Sequence, residues 1–225
     1  MKIIKRVLLL VLIIIIAGAS IVVGQGYQMY KDAVEKVPVE QKAHEIMEID
    51  HYTSYDELPE TYVDAVIAAE DRRFYYHRGF DIISTVRAAW RNLRNKEIVE
   101  GGSTITQQLG RIMYFSQEKK YSRKVAEVLA AGRIEDLYDK EKIFELYVNT
   151  IYFGSGYYSV YDASMGYFGK KPSEMNDYEC TMLAGIPNAP SVYSPDVNPT
   201  LAEERRQQVL ECMAEAGYIQ PGDIE

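Results

Sequence analysis

Three stretches carry residue types that could do chemistry. The first is Glu-Asp-Arg-Arg-Phe-Tyr-Tyr-His-Arg-Gly-Phe-Asp, residues 70–81. It sets a carboxylate, Glu70, where an apolar helical stripe gives out, among arginines, aromatic rings and His77. A carboxylate in such surroundings can serve as a general base or acid. Taken alone, Glu70 reads more simply as a solvated helix end, which is what most glutamates are. The second stretch is Gly-Gly-Ser-Thr-Ile-Thr-Gln-Gln-Leu, residues 101–109. Ser103, Thr104, Thr106 and Gln107 place hydroxyls and an amide at a helix start, where backbone N–H groups point outward. That suits anions and sugar hydroxyls, and it equally suits plain capping. The third is Arg123-Lys124-Val125-Ala126-Glu127. Lys124 and Glu127 share a helix face at i, i+3. Arginine forks and lysine point charges both suit pyrophosphate, although a surface ion-pair helix would look the same.

The elements that must position these residues are nearly all helical. Pro59 sits where a first helical turn accepts it, and Val63, Val66, Ile67 and Ala69 form a stripe ending near Glu70. After the His77-Arg78-Gly79 break, residues 82–93 read as a helix. Ile83, Val86, Trp90 and Leu93 lie on one side of it, and Arg87, Arg91 and Arg94 on another. Such a basic amphipathic helix can rest on a membrane surface or be an ordinary surface helix. Gly101-Gly102 breaks the chain again, and Thr104 to Gln107 fits a capping box. Residues 122–138 and 139–152 are predicted as helices. Asn176 to Glu179 is a second capping box, and its helix is stopped by Pro187. A last helix starts at Asn198-Pro199 and ends at Gly217. Strand patterns are scarce, so the fold class is mainly α.

The chain has 225 residues, 47% of them hydrophobic, enough for one sizeable core. Its formal charge of −8 makes it a poor nucleic-acid binder, and no nucleic acid is expected as a partner. The 19 tyrosines suit carbohydrate stacking and membrane interfaces, although most belong in or near a core. Cys180 and Cys212 read as unpaired core residues, with a single disulfide as the alternative. With His44, His51 and His77 the only histidines and no C-x-x-C, a structural zinc site is not expected. Val7 to Val23 is almost unbroken apolar sequence behind Lys2, Lys5 and Arg6. About 18 helical residues rise roughly 27 Å, close to a hydrocarbon core. The basic flank predicts a cytoplasmic N-terminus and an extracytoplasmic domain. A cleaved signal peptide is the alternative. The expected organisation is a cytoplasmic tail at 1–6, a transmembrane anchor at 7–24, a stalk at 25–44 and a domain at 45–220.

The order and spacing of five blocks resemble glycosyltransferase family 51, the peptidoglycan glycosyltransferases or transglycosylases. The blocks are Glu70–Asp81, Gly101–Leu109, Arg123–Glu135, Lys142–Gly169 and Leu183–Pro195. The resemblance covers roughly residues 45–220. It implies a lysozyme-like, two-lobed helical domain with a membrane-proximal jaw. It also implies polymerisation of lipid II into β-1,4-linked glycan strands on the extracytoplasmic side of the cell membrane. By this resemblance Glu70 would be the general base, and Glu127 would assist the leaving pyrophosphate, with a divalent cation (Mg²⁺ or Mn²⁺) to which Glu127 is a candidate ligand. Arg111, Arg123 and Lys124 would neutralise phosphate charge. Ser103, Thr104, Gln107 and Gln108 would hold the donor, and Asp71, Phe74, His77 and Asn149 would organise the cleft. Lipid II, the growing glycan strand, the membrane and cell-wall synthesis proteins would be its partners, and no organic cofactor is implied.

Departures stand at Arg111-Ile112, where the family commonly has Lys-Asn, and at Ser159 and Asp162, where small residues are usual. A buried Asp162 would need a partner. No Ser-x-x-Lys followed by Lys-Thr-Gly marks a transpeptidase, so the chain reads as a monofunctional enzyme or as a piece of a longer one. A glycan hydrolase would use two carboxylates on the same framework, but it needs neither the Arg123-Lys124 cluster nor an anchor. A non-catalytic cell-wall scaffold would have no need to retain both glutamates.

Overall fold

The computed structural model describes residues 2–95, 101–116 and 120–220. Eleven α-helices run in order among them: α1 (Lys2–Lys36), α2 (Val39–Met47), α3 (Glu60–Glu70), α4 (Ile82–Asn95), α5 (Ile105–Tyr114), α6 (Tyr121–Leu137), α7 (Lys140–Val148), α8 (Val160–Phe168), α9 (Asp177–Gly185), α10 (Pro190–Tyr193) and α11 (Pro199–Ala216). No strand occurs among the described residues, so the mainly helical class read from the sequence is the observed one.

Most boundaries follow from capping chemistry. The Thr104 hydroxyl accepts from the Gln107 N–H, and Gln107 returns its side chain to the Thr104 N–H. Asn176 and Glu179 close the same box for α9, and Asp139 caps α7. Each satisfies N–H groups that a helix start leaves unpaired. Gly217 ends α11 at φ +83°, a left-handed conformation that glycine adopts without cost.

Three expectations are corrected. Residues 25–44, read as a stalk, are helical and partly internal: α1 continues to Lys36, Pro38 separates it from α2, and Val39, Ala43 and Ile46 enter the core. The helix predicted over 139–152 stops at Val148. Asn149 turns its amide to the Glu145 carbonyl and to both backbone groups of Thr53, tying the helix end to a distant segment. Asp162 is exposed and needs no buried partner. It sits in the first turn of α8, where its N–H donates to the capping Ser159 hydroxyl.

The core lies where α3 packs on α9 and α11, and α5 on α6 and α7. Tyr62, Ile134, Phe144, Tyr147, Phe153 and Leu183 are fully buried there. Gly110 lets α5 approach α6, because a Cβ there would already meet Ala130 Cβ at 3.3 Å. Helix α4 stands apart. Ala88 is its buried hydrophobic residue, and Ile82, Ile83, Val86, Trp90 and Leu93 all face outward. It forms a smaller lobe beside the main bundle, joined near the cleft by the Thr85 hydroxyl donating to the Gly102 carbonyl. The cysteines are both free, Cys180 buried and Cys212 half-buried.

Candidate active site

A cleft of about 820 Å³ opens between the two lobes. Glu70, the last residue of α3, lines it together with Ser103, Thr104, Gln108 and Arg111. One Glu70 oxygen, Oε2, accepts from the Gln108 side-chain amide at 2.8 Å, and Gln108 Oε1 lies 3.4 Å from the Tyr147 hydroxyl. The other oxygen, Oε1, is buried without a hydrogen-bond partner. A carboxylate held on one side keeps acceptor capacity on the other, as a general base needs.

The framework around it is pinned by other carboxylates. Asp71 takes His77 Nε2 on both oxygens, at 2.9 and 3.0 Å, and the Ile105 N–H at 3.0 Å. It therefore ties the end of α3 to the start of α5, and His77 serves this junction rather than the cleft. The Thr104 hydroxyl donates to the Gly79 carbonyl at 2.7 Å. Asp81 caps α4. Burial pushes its carboxyl pKa up, but hydrogen bonds from Ser84 and the Arg73 charge outweigh that and leave it below the usual value.

On α6, Glu127 is almost fully buried between two cations. Arg123 Nη1 lies 2.7 Å from Oε1 and Lys124 Nζ lies 3.1 Å from Oε2. Lys124 Nζ also donates to the Ser103 hydroxyl at 2.6 Å. Ser103 lines the cleft, so this contact joins the cationic face to it. The two Glu127 oxygens face Arg123 and Lys124, and Oε1 makes no hydrogen bond among the described residues. Among the described residues, no group of three or more His, Cys, Asp or Glu is arranged to hold a metal ion.

The structure thus brings Glu70, Ser103, Thr104, Gln108 and Arg111 to one cleft, with Lys124 reaching it through Ser103. Asp71 also lines the cleft, with its side chain largely buried, and Phe74, His77 and Asn149 are buried behind it as framework. Gln107 is fully buried and committed to the α5 cap, so it does not reach a donor in the cleft.

Sequence reasoning missed two features. One is Glu135, whose Oε1 gathers the Gly79 N–H, the Thr106 hydroxyl and the Lys140 ammonium at 3.0, 2.7 and 2.7 Å. Its spacing from Glu127, eight residues along one helix, places both on the same inward face and was a usable signal. The other is the far cleft wall, where Arg205, Gln208, Glu211 and Cys212 come from α11 and Arg72 pairs with Glu215 at 2.7 Å. No local pattern links α11 to Glu70.

A helical cleft with a half-satisfied carboxylate beside a cationic face has the parts of a site for anionic, hydroxyl-rich molecules. Comparison with known proteins narrows that class. The chain matches the transglycosylase family over residues 37–214. It is 47% identical to penicillin-binding protein 1A of Aquifex aeolicus (strain VF5) over 174 residues, 77% of this chain and 24% of that protein. A Cupriavidus necator protein provisionally named a transglycosylase is 44% identical over 174 residues, 77% of this chain and 75% of that one. Penicillin-binding protein 1A of Vibrio cholerae is 36% identical across the whole chain, which spans 29% of it. The chain therefore belongs to the transglycosylase family, the peptidoglycan glycosyltransferases that its motifs resemble. It spans about a quarter of the penicillin-binding proteins it matches.

Proposed function

We propose that the protein polymerises lipid II into β-1,4-linked glycan strands by inverting glycosyl transfer. The observation that carries this reading is the Glu70 carboxylate, anchored through Oε2 by Gln108 and buried without a partner at Oε1. Glu70 would take the proton from the 4-hydroxyl of the acceptor's N-acetylglucosamine. The resulting oxygen nucleophile attacks C1 of the donor's N-acetylmuramic acid. The bond from C1 to the phosphate oxygen breaks, and undecaprenyl pyrophosphate leaves with the electron pair. A positioned base contributes about 10²- to 10⁴-fold.

Charge gathering on the leaving pyrophosphate is met by Arg111 at the cleft and by Lys124 behind Ser103, whose fixed positions make them effective where water is excluded. Glu127 holds Arg123 and Lys124 in place. Any divalent cation would be ligated mainly by the substrate's own phosphates, as Mg²⁺ commonly is. Helix α1 is long and apolar enough to cross a membrane, and the basic residues before it favour a catalytic domain outside the cytoplasm. The outward-facing apolar side of α4 suits contact with lipid. The test is incubation of the full chain with lipid II and Mg²⁺, with products separated by gel. Long glycan strands are expected; free disaccharide without strands would instead indicate a hydrolase.

A further inference from the structure

Helix α1 is docked as well as apolar. Its buried and half-buried positions Val22, Gly26, Met29, Tyr30, Ala33 and Val34 recur at three- and four-residue spacing, so they form one stripe. Helix α1 packs against α6, and of its three glycines Gly26 is the one in close approach. A Cβ there would lie 2.5 Å from Val125 Cβ and 2.6 Å from the Ser122 carbonyl oxygen. Gly18 and Gly24, on the same helix, have open space around them. Ser122 and Val125 flank Arg123 and Lys124, the cations that hold Glu127. The apolar run ends at Val23, and the three residues from there to Gly26 rise about 4.5 Å along an unbroken helix.

We propose that Gly26 is a positioning residue. By letting α1 seat directly on α6, it fixes the Arg123–Lys124–Glu127 face within about one helical turn of the membrane boundary. The diphosphate of a membrane-held substrate lies at that height, so it meets Lys124 without leaving the bilayer. The substrate's identity rests on the function proposed above; the seating of α1 on α6 does not. A bulky residue at Gly26 forces the two helices apart and tilts the cleft relative to the lipid, while the cleft itself keeps its shape.

The test compares the wild-type chain, Gly26→Leu and Gly24→Leu in vesicles of phosphatidylglycerol and phosphatidylethanolamine. Trp90 is the only tryptophan and lies on the exposed face of α4. Its quenching by brominated lipid reports the pose of the domain independently of turnover. Gly24→Leu should match wild type in every readout. Gly26→Leu should change Trp90 quenching and raise KM for lipid II by about tenfold or more, with a much smaller change in kcat, because substrate capture is lost while the cleft's own geometry is kept. Its melting temperature should stay within a few degrees of wild type. Wild-type KM and quenching in Gly26→Leu would overturn the proposal. So would a loss of kcat with unchanged KM and quenching, since that would mean a distorted α6. If Gly26→Leu does not fold, Gly26→Ala decides, because even its methyl meets Val125 and Ser122. Failure of wild type to turn over lipid II would count against the proposed function, leaving the quenching comparison to judge the docking alone.

Discussion

Glu70 shows what residue type and spacing reveal. By itself it is an ordinary helix-end glutamate; beside Gln108 and Arg111 in a cleft it becomes a held carboxylate with one unmatched oxygen. Glu70 and Gln108 were legible because each lies in a short, recognisable block, whereas Arg111 lies just outside one. Glu127 was legible as a charged face but not as a nearly buried group between two cations. Since Lys124 links that face to Ser103, Lys124→Ala should lower turnover of lipid II about 10²-fold, the scale seen when one fixed electrostatic donor is removed. Lys124 also donates a hydrogen bond to the buried Glu127, so calorimetry should find a lowered melting temperature, and the rates are compared at equal amounts of folded protein. A near-wild-type rate would reject the leaving-group role.

Glu145 makes a separate prediction about stability. Burial raises its carboxyl pKa, but the Lys142 ammonium, the Tyr52 hydroxyl and the Tyr55 N–H outweigh that, leaving it below its ordinary 4.5. A folded pKa lower than the unfolded one means the unfolded chain binds the proton more readily. The stabilisation is therefore fully present above about pH 5 and is lost as pH falls through the depressed folded value. Thermal melting followed from pH 7 to pH 3 should drop less steeply for Glu145→Gln than for wild type, from a lower starting point at pH 7. Parallel curves would contradict the linkage.

At the scale of elements, capping made helix starts readable. Thr104, Asp139 and Asn176 each stand where a polar side chain accepts from the third N–H of its helix. Helix ends were less legible where tertiary contacts decide them. Asn149 stops α7 because Thr53, far away in sequence, supplies partners for its amide. The segment after the apolar run looked like a stalk because its polar residues dominate a linear reading. Its small and apolar positions form one stripe when wound as a helix, and that stripe is what α6 covers. The far cleft wall stayed hidden for the same reason: Arg205 and Glu215 gain meaning only when α11 packs on α3 and α9.

At the scale of the whole molecule, one helix suited to a bilayer leads directly into the domain that carries the cleft. The exposed apolar face of α4 gives a second surface for lipid. This arrangement suits a substrate whose sugar is soluble and whose chain is not. The basic residues before the apolar run favour placing the cleft outside the cytoplasm. A reporter enzyme fused after Glu225 and active only outside the cytoplasm should therefore score positive. Activity of a cytoplasm-dependent reporter at the same position would reverse the topology.

In the proposed reaction Glu70 removes the proton that starts sugar transfer. Glu70→Gln keeps the side chain's shape and its place beside Gln108 while removing its basicity. The direct measurement is the rate of glycan-strand formation from lipid II by this variant and by wild type, at equal amounts of folded protein in the same membranes. Loss of a general base predicts a rate lower by about 10²- to 10⁴-fold, with lipid II still bound. Equal strand formation by the two proteins would contradict the account.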